Sequence, residues 1–143
     1  MSCMRLMGLD VGTKYIGVAV SDELGMIAQG RERVLRETDE KAVDRIKDIA
    51  GEYDVEKVIV GYPVNMDGSV GERARDSRDF ASLIESRAGL SVELWDERLS
   101  TKEAEEAMIE GGASRRRRKD KVDKLAAQII LQGYLDRKNA GDK

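Results

Sequence analysis

The stretch Leu6-Met7-Gly8-Leu9-Asp10-Val11-Gly12-Thr13-Lys14-Tyr15-Ile16-Gly17-Val18-Ala19-Val20, residues 6–20, decides how this chain is read. Two apolar runs of strand length flank a Gly12-Thr13 turn, so residues 4–10 and 15–21 are expected to pair as antiparallel strands. Asp10 does not belong in such a run. A carboxylate in a buried strand costs on the order of several kcal/mol unless a partner offsets it, and a divalent cation would be such a partner.

Working outward, residues 26–35 form a third, more exposed strand with charges alternating outward, completing a meander. Ala42, Val43, Ile46, Ile49, Ala50 and Tyr53 then recur at helical spacing after Thr38-Asp39. Val58-Ile59-Val60 is a short strand apolar on both faces, and Ala74, Phe80, Ala81, Ile84 and Ala88 mark a helix that Gly89 stops. Val92-Glu93-Leu94-Trp95 is the next strand. Ser100 and Glu103 form a capping box for a helix ending at Gly111, and Val122, Leu125, Ala126, Ile129, Ile130 and Gly133 mark the last helix. The order βββαβαβαα predicts an α/β fold: a mixed five-stranded sheet, meander plus parallel crossovers, with helices on both faces.

This order gives two more acids a place. The crossovers make the first strand central, and the loops after the fourth and fifth strands approach its carboxyl edge, which brings Glu97 beside Asp10. Asp123 opens the last helix in this reading, about 40° from Ala127 and about 20° from Ile130 at 100° per residue, and so points along the apolar stripe. Taken singly, Glu97 would be an exposed acid and Asp123 a first-turn acid favoured by the helix dipole. Converging, the three make an all-oxygen site in a chain without histidine, suited to Mg²⁺ or Mn²⁺.

The chain has 143 residues and no Pro/Ser-rich linker, so residues 1–143 are expected to form a single domain. It has no leader pattern and no apolar run long enough to cross a bilayer; a soluble, cytoplasmic protein with no membrane partner is expected. The lone Cys3 forms no intrachain disulfide and is the wrong count for a zinc site. Net charge is −3, but residues 1–110 carry 15 Lys/Arg against 24 Asp/Glu, whereas residues 111–143 carry 10 against 4. Arg115, Arg116, Arg117, Arg118 and Lys119 concentrate that basic excess in what is read as a connector before the last helix, a phosphate-binding candidate next to Asp123. Thr13 and Lys14 in the glycine-containing turn, Asn65 in a turn-forming Asn-Met-Asp-Gly segment, and Arg98 beside Asp96 are further candidates for substrate contact.

Four motifs in order carry a family resemblance. Gly8-Leu9-Asp10-Val11-Gly12-Thr13-Lys14 with Ile16-Gly17-Val18-Ala19-Val20, Val60-Gly61-Tyr62-Pro63-Val64-Asn65-Met66-Asp67-Gly68, Asp96-Glu97-Arg98-Leu99-Ser100-Thr101, and Val122-Asp123-Lys124-Leu125-Ala126-Ala127 resemble the YqgF/RuvX family. Its members are described as pre-16S rRNA nucleases and also as Holliday-junction-resolvase-like. Asp120 departs from the pattern, which has a small residue such as glycine there; Asp123 is preferred as the ligand because its neighbours match.

The resemblance implies a ribonuclease-H-like fold and a metal-dependent phosphodiester hydrolase that processes the 5′ end of pre-16S rRNA. The chemistry agrees: two divalent ions bridged by Asp10, with Glu97 and Asp123 completing their shells, would activate water on one side of phosphorus and stabilise the leaving oxygen on the other. Without histidine, the base must be metal-activated water or a substrate phosphate oxygen. Without metal, three close carboxylates would repel and raise at least one pKa. The expected partner is nucleic acid, RNA favoured and structured DNA possible, and the protein is expected to be a monomer or weak homodimer. Three alternatives stand beside this: a Holliday-junction DNA resolvase, a non-catalytic RNA-binding ribosome-assembly factor, and an actin-like ATPase domain suggested by Asp-x-Gly-Thr. The last would need a second domain to enclose nucleotide.

Overall fold

The alternation along residues 5–11 sets up the whole architecture. In the computed structural model, which describes residues 5–65, 67–97 and 115–141, with side chains placed for 124–139 of the last segment, Arg5–Val11 is strand β1. Met7, Leu9 and Val11 leave it on one side, Leu6, Gly8 and Asp10 on the other. Each side is covered by a different helical layer.

β2 (Tyr15–Ser21) and β3 (Ala28–Leu35) extend the meander. α1 (Asp39–Glu52) begins at Thr38, whose hydroxyl accepts the Lys41 N–H, an N-cap ahead of first-turn acids. β4 (Val55–Tyr62) follows, then α2 (Glu72–Leu83), which widens into a π-helical turn over Ile84–Ala88. Gly89 closes that turn with φ of 70°, the left-handed geometry in which glycine carries no Cβ penalty. β5 (Ser91–Asp96) completes a sheet of order β3-β2-β1-β4-β5, antiparallel in the meander and parallel between β1, β4 and β5. α3 is Arg115–Gly141. The expected fold class is the observed one, with β1 at the centre.

Several boundaries differ from expectation, β4 among them: it spans Val55–Tyr62 rather than the expected Val58-Ile59-Val60. β3 starts at Ala28 rather than near residue 26, and the basic run Arg115–Lys119 is the opening of α3 rather than a connector. Asp123 therefore lies eight residues inside the helix and is not the first-turn acid of the sequence reading. Arginine and lysine are good helix formers, and no glycine or proline separates residue 115 from the apolar stripe, so nothing stops the helix extending backwards. The capping-box helix from Ser100 falls outside the described residues.

One core lies between the sheet and α1/α2, built on Met7, Leu9, Val11, Ile46, Ile49, Phe80 and Ile84. The other lies under α3: Leu6, Ala19, Ala28, Ile59, Trp95, Ala127, Ile130, Leu131, Tyr134 and Leu135. α3 seats very close. A Cβ on Gly8 would stand 2.6 Å from Leu131 Cβ and 3.0 Å from the Ala127 carbonyl oxygen; one on Gly30 would stand 2.9 Å from the Lys124 carbonyl oxygen. Only glycine admits a helix at that distance.

The contacts also fix the helix direction. Gln132 Oε1 accepts the Ala28 N–H at 2.8 Å and Gln128 Oε1 accepts the Gly30 N–H at 3.0 Å, so helix numbering falls as β3, and with it β1, runs toward its carboxyl end. The amino-terminal half of α3 thus approaches the carboxyl edge of β1. These same glutamines satisfy edge-strand donors that would otherwise invite another strand.

Candidate active site

Asp10 leaves β1 on the α3 side, one residue before the strand ends, with its side chain 18% exposed. Its neighbour on β4 is Gly61, since the parallel register pairs Leu9 with Val60. Gly61 in turn pairs with Trp95 on β5, and Glu97 follows two residues later on Trp95's side of the strand. The Glu97 carboxylate lies against Gly61: a Cβ there would meet Glu97 Oε2 at 2.7 Å and Ile130 Cδ1 at 2.5 Å. Two acids far apart in sequence thus flank one position that has no side chain.

The third acid reaches the same edge by its backbone. Residue 123 is one helical turn before Ala127, whose carbonyl packs over Gly8, and lies on the edge-ward side of it. The Asp123 side chain is outside the described residues, as is Arg98. Among the described residues, no three acidic, histidine or cysteine side chains form a metal-binding group.

Thr13 and Lys14 sit exposed in the β1–β2 turn at this edge, where Gly12 N–H donates to Tyr15 O at 3.0 Å. Lys14 Nζ stands 5.8 Å from the Tyr15 ring centroid, and Arg33 Cζ 3.7 Å from it. Asn65 follows β4. Its side-chain amide donates to Ser69 Oγ at 2.9 Å, its backbone carbonyl accepts the Gly68 N–H, and Asp67 Oδ1 accepts from both the N–H and hydroxyl of Ser69. The Asn65 amide is thus used within its own loop, as expected of an Asx-rich turn. The backbone of Arg115 to Arg118 forms the first turn of α3, with no acid there to favour the dipole.

Two arginines absent from the sequence reading bear on the site. Arg36 is nearly buried, its guanidinium bonded to both oxygens of Asp76 at 2.7 and 2.8 Å, to Asp39 Oδ1 at 2.7 Å and to the Gly12 carbonyl at 2.9 Å. It ties the turn after Asp10 to α1 and α2. Its hydrogen bonds hold the Asp76 carboxyl below the usual carboxylate range. Arg73, in the first turn of α2, brings Nη2 to 3.9 Å from Asp10 Oδ1 and 3.4 Å from the Val11 carbonyl. An Arg in a helix start carries no motif signal, and both contacts span more than twenty residues, so only the fold could reveal them.

A family model described as "RuvX: Holliday junction resolvase" matches residues 4–137. A Halothermothrix orenii protein named "Putative pre-16S rRNA nuclease" is 53% identical over 136 residues, covering 95% of this chain and 97% of its own. A Listeria monocytogenes protein of the same name is 53% identical over 138 residues, 95% of this chain and 100% of that one. Among solved structures, Thermus thermophilus RuvC aligns with a TM-score of 0.58 at 17% identity, over 96% of this chain and 97% of that chain, a likeness of fold.

Proposed function

Because this chain belongs to the RuvX family, we propose that it is a divalent-metal-dependent nuclease that hydrolyses phosphodiesters of pre-16S ribosomal RNA. The observation that carries this reading is the corner at Gly61, where the missing Cβ leaves room for the Glu97 carboxylate beside the β1 position of Asp10. A shielded aspartate in a strand next to a second carboxylate is costly without a cation.

The donors fit a hard ion. All are oxygens and the chain has no histidine, which suits Mg²⁺ or Mn²⁺. Asp10, Glu97 and Asp123 would hold the metal, Asp10 as the ligand shared by two ions. Bound there, the ions would supply Lewis-acid polarisation of the phosphodiester and of its attacking water.

The chain's own groups do the rest. β1 and the Arg36 bonds fix the backbone on either side of Asp10, so its carboxylate is presented from a fixed main chain. Thr13 offers a hydroxyl donor, and Lys14, exposed at the same edge, and the basic first turn of α3 offer charge to the phosphates flanking the cleavage point. With few aromatic side chains, recognition rests on backbone charge and shape rather than on base stacking. We take the chain to act as one domain, in the cytoplasm, as a monomer or weak homodimer; among the described residues no helix is long and apolar enough to cross a membrane.

A second substrate class, four-way DNA junctions, is kept because the matching family model is described by that activity. RNA is preferred since the relatives sharing half of this sequence are named for it. Incubating purified protein with labelled structured RNA, single-stranded RNA and a four-way junction, each with Mn²⁺ and with chelator, separates them. Cleavage of RNA with Mn²⁺ only, abolished in Asp10→Asn while RNA affinity is kept, is the expected outcome. Cleavage of the junction alone would move the assignment to DNA, and full cleavage by Asp10→Asn would end it.

A further inference from the structure

The geometry points to Arg73 as a phosphate-binding residue of the site that shares its guanidinium between Asp10 and the substrate. This rests on the nuclease reading above. Arg73 rises from the first turn of α2 and reaches round the end of β1, with Nη2 3.9 Å from Asp10 Oδ1. That distance is too long for a hydrogen bond but close enough for charge compensation. Its one hydrogen bond to a described residue, to the Val11 carbonyl, is long at 3.4 Å. Arg36 next door makes the contrast: 10% exposed, with four short bonds, it is committed to structure. Arg73 is 58% exposed and keeps most of its five donors for something else.

The oxygens of a phosphodiester are the ligand that matches a planar, charged fork beside a carboxylate. With its guanidinium beside Asp10, Arg73 softens the repulsion between the acidic corner and an approaching nucleic acid. Once a divalent cation takes Asp10, the two positive charges repel, and the guanidinium is better placed on the substrate phosphate. α2 begins at Gly71 without a side-chain cap, so the positive end of its dipole adds to the same field.

This arrangement makes opposite-signed predictions for one substitution. Arg73→Gln removes a competitor for Asp10, so Mn²⁺ alone, titrated calorimetrically without nucleic acid, should bind about two- to fivefold tighter, the range of an exposed ion pair. The same variant should bind a fluorescein-labelled structured RNA about tenfold more weakly in chelator, with the salt slope reduced by about 0.7–0.9, one phosphate contact. Arg73→Lys should restore wild-type Mn²⁺ affinity but only part of the RNA affinity, because the charge returns without the fork. With Mn²⁺ present, the Gln variant should show a raised KM and a nearly unchanged kcat.

Mn²⁺ binding unchanged or weakened in Arg73→Gln would overturn the proposal, and so would RNA affinity equal to wild type. Wild-type protein that binds and cleaves RNA alongside an indistinguishable Gln variant sinks Arg73 alone. Wild-type protein that binds neither RNA nor the DNA junction sinks the nuclease reading and Arg73 with it.

Discussion

Arg36 stands one residue past the end of β3, yet it holds the backbone that presents Asp10. Its side chain is 10% exposed, it lies over the Phe80 ring at 5.1 Å, and its donors are spent on Asp76, Asp39 and the Gly12 carbonyl. Replacing it with methionine keeps the stem against Phe80 but strands the Gly12 carbonyl and the Asp76 carboxylate. A loss of about 2–3 kcal/mol at pH 7 is expected, toward the low end for a charged pair because Asp76 is itself 40% exposed. The pH dependence has a definite sign. Arg36 lowers the Asp76 pKa in the folded state, so its stabilisation is present above the unfolded value near 4 and disappears as pH falls through the depressed one. Urea melts at pH 7 and pH 3 should therefore show a gap between wild type and Arg36→Met that narrows in acid; an equal gap at both would contradict the assigned role. None of this was legible in the sequence, where Arg36 and Asp76 are forty positions apart and neither sits in a motif. Asp10 was legible because it breaks an apolar strand, a signal confined to its immediate neighbours.

At the scale of elements, glycine decides how α3 meets the sheet. The sequence reading found the strands, their order and the central place of β1, since alternation and crossover rules need only local pattern. It did not foresee Gly8, Gly30 and Gly61 as points of close approach, because the partner atoms come from a helix more than sixty residues away and, at Gly61, also from Glu97 after the last strand. It also began α3 at the apolar stripe and missed the backward extension through Arg115–Lys119, which has helix propensity but no periodic apolar signal. The glycines give separable predictions. A methyl on Gly8 meets Leu131 Cβ and the Ala127 carbonyl, which can move only with the whole helix. One on Gly61 meets the Ile130 Cδ1 methyl and the Glu97 carboxylate, both at side-chain ends that can shift. Gly8→Ala should cost about 3 kcal/mol and Gly61→Ala nearer 1, within the range for overpacking. Only Gly61→Ala should weaken Mn²⁺ binding while shifting the melt about a third as far as Gly8→Ala does. Equal destabilisation by the two, or unchanged Mn²⁺ affinity in Gly61→Ala, would show that Glu97 does not depend on that gap.

Across the whole molecule, charge and topology work toward one edge. Residues 1–110 are net −9 and residues 111–143 net +6, and α3 carries the basic excess at the end that approaches Asp10. Under the proposed function, the backbone of that basic segment lies on the same side of the sheet edge as the acidic corner, an arrangement suited to a polyanionic substrate. The candidate ligands Asp10, Glu97 and Asp123 come from the first strand, the end of the last strand and the last helix, so a site built from them requires the complete fold. Crystals soaked in Mn²⁺ put that to the most direct test. An anomalous peak within about 2.0–2.4 Å of carboxylate oxygens of Asp10 and Glu97, with Asp123 turned to the same ion or its neighbour, is the result expected for hard-ion coordination. Mn²⁺ bound only elsewhere, or an Asp123 side chain directed away from the β1 edge with the site saturated, would contradict the account.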